Sequence, residues 1–98
     1  MLELYNYTMF SKNKKFYITT TLPYINSDPH IGFALEIIQA DVIARYHHAL
    51  KYEVFFNTGT DEHGLKIFRI AKENNLDPKI YCNTYAKKFG NLKQALNL

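Results

Sequence analysis

A single cysteine, Cys82, stands among 98 residues, so neither an internal disulfide nor a cluster of thiolates can form. That excludes a secreted, disulfide-stapled fold and a zinc finger, and it points to a reducing compartment, the cytoplasm. Four glycines and three prolines are too few for collagen, low-complexity or disordered sequence. No stretch approaches the roughly 18 consecutive apolar residues of a membrane-spanning helix. The opening MLELYNYTMFSKNKK sets its lysines after a modest apolar stretch and has no small-residue cleavage site, so it does not read as a signal peptide. An excess of 12 basic over 9 acidic side chains is too small to choose between an anionic ligand, a nucleic acid and neither.

What is present is a chain built to fold, with 47% hydrophobic, 15% aromatic and 21% charged residues. Its length allows one domain at most. Residues 1–15 read as an N-terminal extension, within which Met9 is a second plausible start, and residues 16–98 as the domain proper. Phe16 to Thr21 (FYITTT) is a short aromatic and β-branched run that predicts a strand, followed by the loop LPYINSDP. From His30 to about Leu50, Ile31, Leu35, Ile38, Val42 and Tyr46 recur at helical spacing. They predict an amphipathic helix with these residues as its core face and Ser27, Asp28 and Pro29 as its start. Glu53 to Thr58 (EVFFNT) predicts a second strand ending in the turn GTDEHG. Two further helices are expected, from Leu65 to about Asn74 and from Pro78 through Tyr81, Tyr85 and Phe89 to Leu92 or beyond. Strand, helix, strand, helix implies an α/β fold with parallel strands and a right-handed crossover. Two strands cannot cover the apolar faces of these helices, so the sheet is expected to be incomplete within this chain.

Ligands of open α/β sheets bind beyond the carboxyl ends of the strands, where both motif-rich loops lie. The first loop places Ile31, Gly32 and Phe33 at a helix start, where backbone N–H groups and the helix dipole favour an anion, with His30 beside them as a donor. Gly32 allows a phosphate or flat ring to approach the backbone. The second loop carries Asp61, Glu62 and His63, and one carboxylate there can neutralise an amine. Each feature also has a plainer reading. His30 can be a solvated cap, Thr60, Asp61 and Glu62 the cap and first-turn acids of the next helix, and His47, His48 and Lys51 an exposed helix end. Tyr81, Tyr85 and Phe89 fit a core better than a stacking platform. Adjacent side chains in Asp61-Glu62-His63 point apart and no second donor group matches them, so no metal site is expected.

In combination, Leu22-Pro23-Tyr24-Ile25-Asn26, His30-Ile31-Gly32, Gln39-Ala40-Asp41-Val42, Arg45-Tyr46 and Phe55 to Gly64 (FFNTGTDEHG) resemble, in order and spacing, the N-terminal half of the catalytic domain of class I aminoacyl-tRNA synthetases. Within that class the similarity is to the methionyl enzymes. The resemblance implies the first half of a Rossmann-like nucleotide-binding fold. It implies ATP, with Mg2+, as substrate, methionine and tRNA-Met as partners, and formation of methionyl-adenylate before transfer to the tRNA 3′ end. His30 and Gly32, with Ile31 and Phe33, would belong to the ATP-binding signature, His30 as the catalytic group on the phosphates. Asp61 would hold the α-ammonium of methionine, Leu22 would give a backbone contact, and Tyr24 would line the thioether pocket.

Two positions depart from the family pattern. Phe33 stands where a histidine is usual, and losing one transition-state donor is worth about 2.7 to 4 kcal/mol. Lys51 and Tyr52 stand where a glycine commonly precedes the strand. Nothing in the chain matches the lysine-containing KMSKS signature, so it reads as a catalytic-domain fragment. Two other readings compete: a noncatalytic module that binds nucleotide or a protein partner, and a small nucleotidylyltransferase. These 98 residues by themselves are expected to give little or no aminoacylation. A tRNA-charging assay checks this, and turnover near that of a complete synthetase would overturn it.

Overall fold

A computed structural model describes residues 14–98. Most of the expected extension therefore lies outside the described residues. The order is β1 (Lys15–Thr19), α1 (Ile31–Ala49), β2 (Glu53–Asn57), α2 (Leu65–Glu73) and α3 (Pro78–Ala95). β1 and β2 pair in parallel, with Phe16 opposite Val54, Tyr17 opposite Phe55 and Ile18 opposite Phe56. The pleat sends Phe16, Ile18, Val54 and Phe56 to the half-buried face. α1 packs there, and the His47 ring lies flat on Phe16 with centroids 3.5 Å apart. His47 is thus part of the packing rather than an exposed helix end. On the other face Tyr17 and Phe55 stack at 5.5 Å and remain 60% and 63% exposed.

α1 turns a different side to the sheet than its spacing suggests. Ile37, Ala40 and Ala44 are its buried residues. Ile31, Leu35, Ile38, Val42 and Tyr46, the expected core face, are exposed, Ile31 by 81%. The two stripes lie on opposite sides of the helix, and small residues occupy the side that meets the strands closely. A helix apolar on both sides is suited to lie between two layers, and the described residues supply one of them.

A second cluster forms beyond the strand ends. Ile25, Ile67, Ala71, Tyr81, Cys82 and Phe89 are buried together, with Phe33, Ile70 and Tyr85 against them. Tyr81 and Phe89 are therefore core, as their spacing implies. Ile25 comes from the first motif loop and is fully buried, so the loop is held by the packing of α2 and α3. α3 starts as a capped helix, with the Asp77 carboxylate accepting from the Lys79 and Ile80 N–H groups and Pro78 in the first turn.

All three helices end alike. After α1 the Lys51 N–H donates to the His48 carbonyl and the Tyr52 N–H to the His47 carbonyl, with Lys51 at φ 65°. Asn75 follows α2 and Asn97 follows α3 in the same left-handed conformation with the same pair of bonds. These are Schellman endings, and the Tyr52 ring meets His47 edge-on at 5.3 Å across the first of them. The chain thus keeps the turn that a glycine would make at residue 51, with a lysine in a conformation that asparagine and glycine adopt more easily.

Two measurements test this packing. Lys51→Gly is expected to raise unfolding free energy by up to about 1 kcal/mol, since relief of left-handed strain exceeds the added freedom of the unfolded chain; denaturant unfolding reads it. Burial pushes the Tyr81 hydroxyl and Cys82 thiol up, aided by Tyr85 and by the charge of Glu62 respectively. The hydrogen bond to Asp28 raises Lys88. All three hold their protons more tightly folded than unfolded, so their contribution is whole below the ordinary thiol value of 9.0 and is lost as pH rises through the folded values. Stability is expected to decline above that pH, and thermal unfolding across an alkaline series checks it.

Candidate functional site

Past the last ladder residues the two strands stay together. The Thr20 and Thr58 hydroxyls hydrogen-bond at 2.6 Å, with Thr20 buried. The Asp61 N–H donates to the Pro23 carbonyl at 2.9 Å, and Tyr24 and Asp61 form an isolated parallel bridge. The two motif loops are therefore joined through backbone. Leu22 and Asp61 line one open hollow with Thr60, His63 and Cys82, and Tyr24 adjoins it through the bridge. This brings together the three residues expected around an amino acid.

The Asp61 carboxylate accepts from the His63 N–H at 3.0 Å through Oδ1. That bond shapes the loop and leaves further lone pairs of the carboxylate for a cation. Thr60, Asp61 and Glu62 do not cap α2. Gly64 holds the cap position at φ 117° without a side-chain hydrogen bond, and the Thr60 hydroxyl donates to Glu62 instead. A side chain at residue 64 would be strained in that backbone conformation.

His30 caps α1, as its plainer reading has it, while Ser27 and Asp28, the expected start, lie outside the cap position. Its Nδ1 accepts from the Gly32 N–H at 2.9 Å, and its carbonyl accepts from Phe33 and Ala34. The Gly32 and Phe33 N–H groups are thus engaged within the first turn rather than offered to an anion, as the sequence alone suggests. With Nδ1 accepting, the hydrogen of the neutral ring sits on Nε2. His30 is exposed, and Nε2–H is a donor for an anion at the positive end of the helix dipole. Gly32 has a second role: a Cβ there would lie 3.0 Å from His30 Nδ1, so the missing side chain lets the imidazole fold onto the helix.

Phe33 turns inward. Its ring meets Phe89 edge-on at 5.7 Å beside the second core. The His30 turn is also tied to α3 through Asp28, whose carboxylate pairs with Lys88 at 2.5 Å while that ammonium lies 4.6 Å from the Tyr85 ring centre. A separate cavity of about 530 Å3, lined by Phe33, Ile37, Phe56 and Phe89 among others, lies between α1 and α3. His30 lines neither hollow. Among the described residues no three His, Cys, Asp or Glu side chains converge as a metal site. Among the described residues no helix is long and apolar enough to cross a membrane.

Two residues of this region escape sequence reasoning. Glu36, in the second turn of α1, accepts from both the N–H and the hydroxyl of Thr21. Lys88 reaches back sixty residues in sequence to Asp28. An acid in an early helical turn and a lysine in a late one read as solvated faces, and no spacing signals either contact.

Comparison with known proteins gives a consistent result. The family model for tRNA synthetases class I (M) matches residues 16–98. The methionine–tRNA ligase of Thermotoga maritima is 50% identical over 84 residues, covering 86% of this chain and 13% of that protein. That of Ureaplasma parvum serovar 3 is 47% identical over 87 residues, covering 89% of this chain and 17% of the relative. Methionyl-tRNA synthetase of Mycobacterium tuberculosis, solved with methionyl-adenylate, superimposes with a TM-score of 0.83 at 39% identity over 86% of this chain and 16% of its own. The leucyl enzyme of Agrobacterium radiobacter K84, in a complex with tRNA and LeuAMS, gives 0.73 at 26% identity over 87% of this chain and 11% of its own. The chain spans less than a fifth of these proteins, and over that span its parallel strands and crossover helix are the beginning of their Rossmann-like domain. The chain belongs to the class I tRNA synthetases of the methionyl family.

Proposed function

We propose that the protein carrying this chain activates methionine with ATP, releases pyrophosphate and transfers the methionyl group to tRNA-Met in the cytoplasm. The observation that carries the reading is the placement of Leu22 and Asp61 in one hollow at the strand ends, with His30 at the head of the crossover helix. In this reading the methionine carboxylate oxygen attacks the α-phosphorus of ATP. A carboxylate–phosphorus bond forms, and the bond to the leaving pyrophosphate breaks. The tRNA terminal hydroxyl then attacks the methionyl carbonyl and AMP departs.

No residue of the chain need form a covalent intermediate, so its share is positioning and charge stabilisation. Asp61 holds the α-ammonium and the backbone at Leu22 aligns the amino acid. Tyr24, exposed beside Asp61, closes over the thioether side. His30 donates through Nε2–H to phosphate oxygens at the start of α1, where Ile31 and Gly32 lie against the nucleotide. Phe33 makes no phosphate contact and supports His30 by packing its turn against α3. Mg2+ accompanies ATP as part of the nucleotide substrate.

Asp61→Asn tests the assignment. Asparagine keeps an oxygen for the His63 N–H, so the turn is retained while the charge is removed. In the full natural chain KM for methionine is expected to rise about tenfold to a hundredfold, the worth of a charged hydrogen bond. The melting point should hold. Methionine-dependent ATP–pyrophosphate exchange reads the change, and an unaltered KM would contradict the role.

A further inference from the structure

We propose that Glu36 is a positioning residue for the amino-acid half of the site, pinning the backbone immediately before Leu22; the inference rests on the methionine-activation reading above. The Thr21 N–H donates to Glu36 Oε1 at 2.6 Å, and the Thr21 hydroxyl lies 2.9 and 2.8 Å from the two carboxylate oxygens. Bonds to an ionised acceptor are the stronger kind, and here two donors of one residue converge on one carboxylate. On the other side of Leu22, the Pro23 carbonyl accepts the Asp61 N–H at 2.9 Å. Leu22 is therefore held between two backbone anchors, one on the helix that begins with His30 and one on the loop that carries Asp61. Its own side chain is about half exposed and cannot supply that constraint.

The arrangement separates the two halves of the site. The head of α1 is fixed by its own cap, through His30 Nδ1 and the His30 carbonyl, with no contribution from Glu36. Loss of the Glu36 carboxylate frees residues 21 and 22 while His30 and Gly32 stay in place. Glu36 thus acts through the loop, and its removal should weaken methionine alignment far more than ATP binding.

The experiment uses the full natural chain with Glu36→Ala and Glu36→Gln. Amide hydrogen exchange at Thr21 reads the anchor without reference to activity, and pyrophosphate exchange gives KM for each substrate. In Glu36→Ala, exchange at Thr21 should accelerate and KM for methionine should rise, each by about tenfold or more, with KM for ATP within about twofold. Glu36→Gln keeps one acceptor for the Thr21 N–H and should fall between. Parallel rises in both KM values with a lowered melting point, or a methionine KM within about twofold of wild type, would overturn the proposal. A wild-type enzyme that exchanges no pyrophosphate with methionine would overturn the activity reading. The Thr21 exchange comparison would then still uphold or overturn the anchor by itself.

Discussion

The parallel register of β1 and β2 is the constraint on which the rest of the molecule depends. It runs past the formal strands, through the Thr20–Thr58 hydroxyl pair, to the bond between the Asp61 N–H and the Pro23 carbonyl. Because the pairing is parallel, both chains leave the sheet at the same edge, and a crossover helix must connect them. The loop after β1 and the loop after β2 therefore meet. Leu22 and Tyr24 lie almost forty positions from Asp61 in sequence, and the backbone hydrogen bond at Pro23, between them, brings Asp61 beside both.

α1 turns that edge into a site with two ends. Its head is built by His30, which spends Nδ1 on the Gly32 N–H and thereby directs Nε2–H outward. Its second turn reaches back through Glu36 to hold the start of the first loop. Its buried side is made of Ala40, Ala44 and Ile37, which let the helix lie close on the strands. The second core, which includes Ile25, Tyr81 and Phe89, holds the loop against α2 and α3. Phe33 joins that core, so the residue that departs from the family signature contributes packing at the position where a polar ring is usual.

Much of this was legible in the sequence. The two strands, the three helices and their boundaries follow from short β-branched runs, helical spacing and the Asp77-Pro78 start, within about two residues. Leu22, Tyr24 and Asp61 are neighbours in the structure, and their roles toward methionine rest on the resemblance and on the function proposed above. The facing of α1 was not legible, because Ile31, Leu35, Ile38, Val42 and Tyr46 form a better apolar repeat than Ile37, Ala40 and Ala44. Periodicity finds an apolar stripe but cannot say which of two stripes the present layer covers. The capping role of His30 is legible as the plainer reading of a histidine at a helix start, although Ser27 and Asp28 are the better cap formers and stand a few residues too early. Glu36 and Lys88 were hidden because their partners are distant in sequence and their residue types are ordinary on exposed helix faces.

In the proposed function one edge of the sheet holds methionine at Asp61 and the nucleotide phosphates at His30. The most direct test of this is a crystal structure of the full natural chain with a non-hydrolysable methionyl-adenylate analogue. The ligand's α-ammonium is expected within hydrogen-bonding distance of the Asp61 carboxylate, with a phosphate-position oxygen facing His30 Nε2. A ligand bound at this edge with its ammonium away from Asp61, or seated instead in the apolar cavity between α1 and α3, would contradict it.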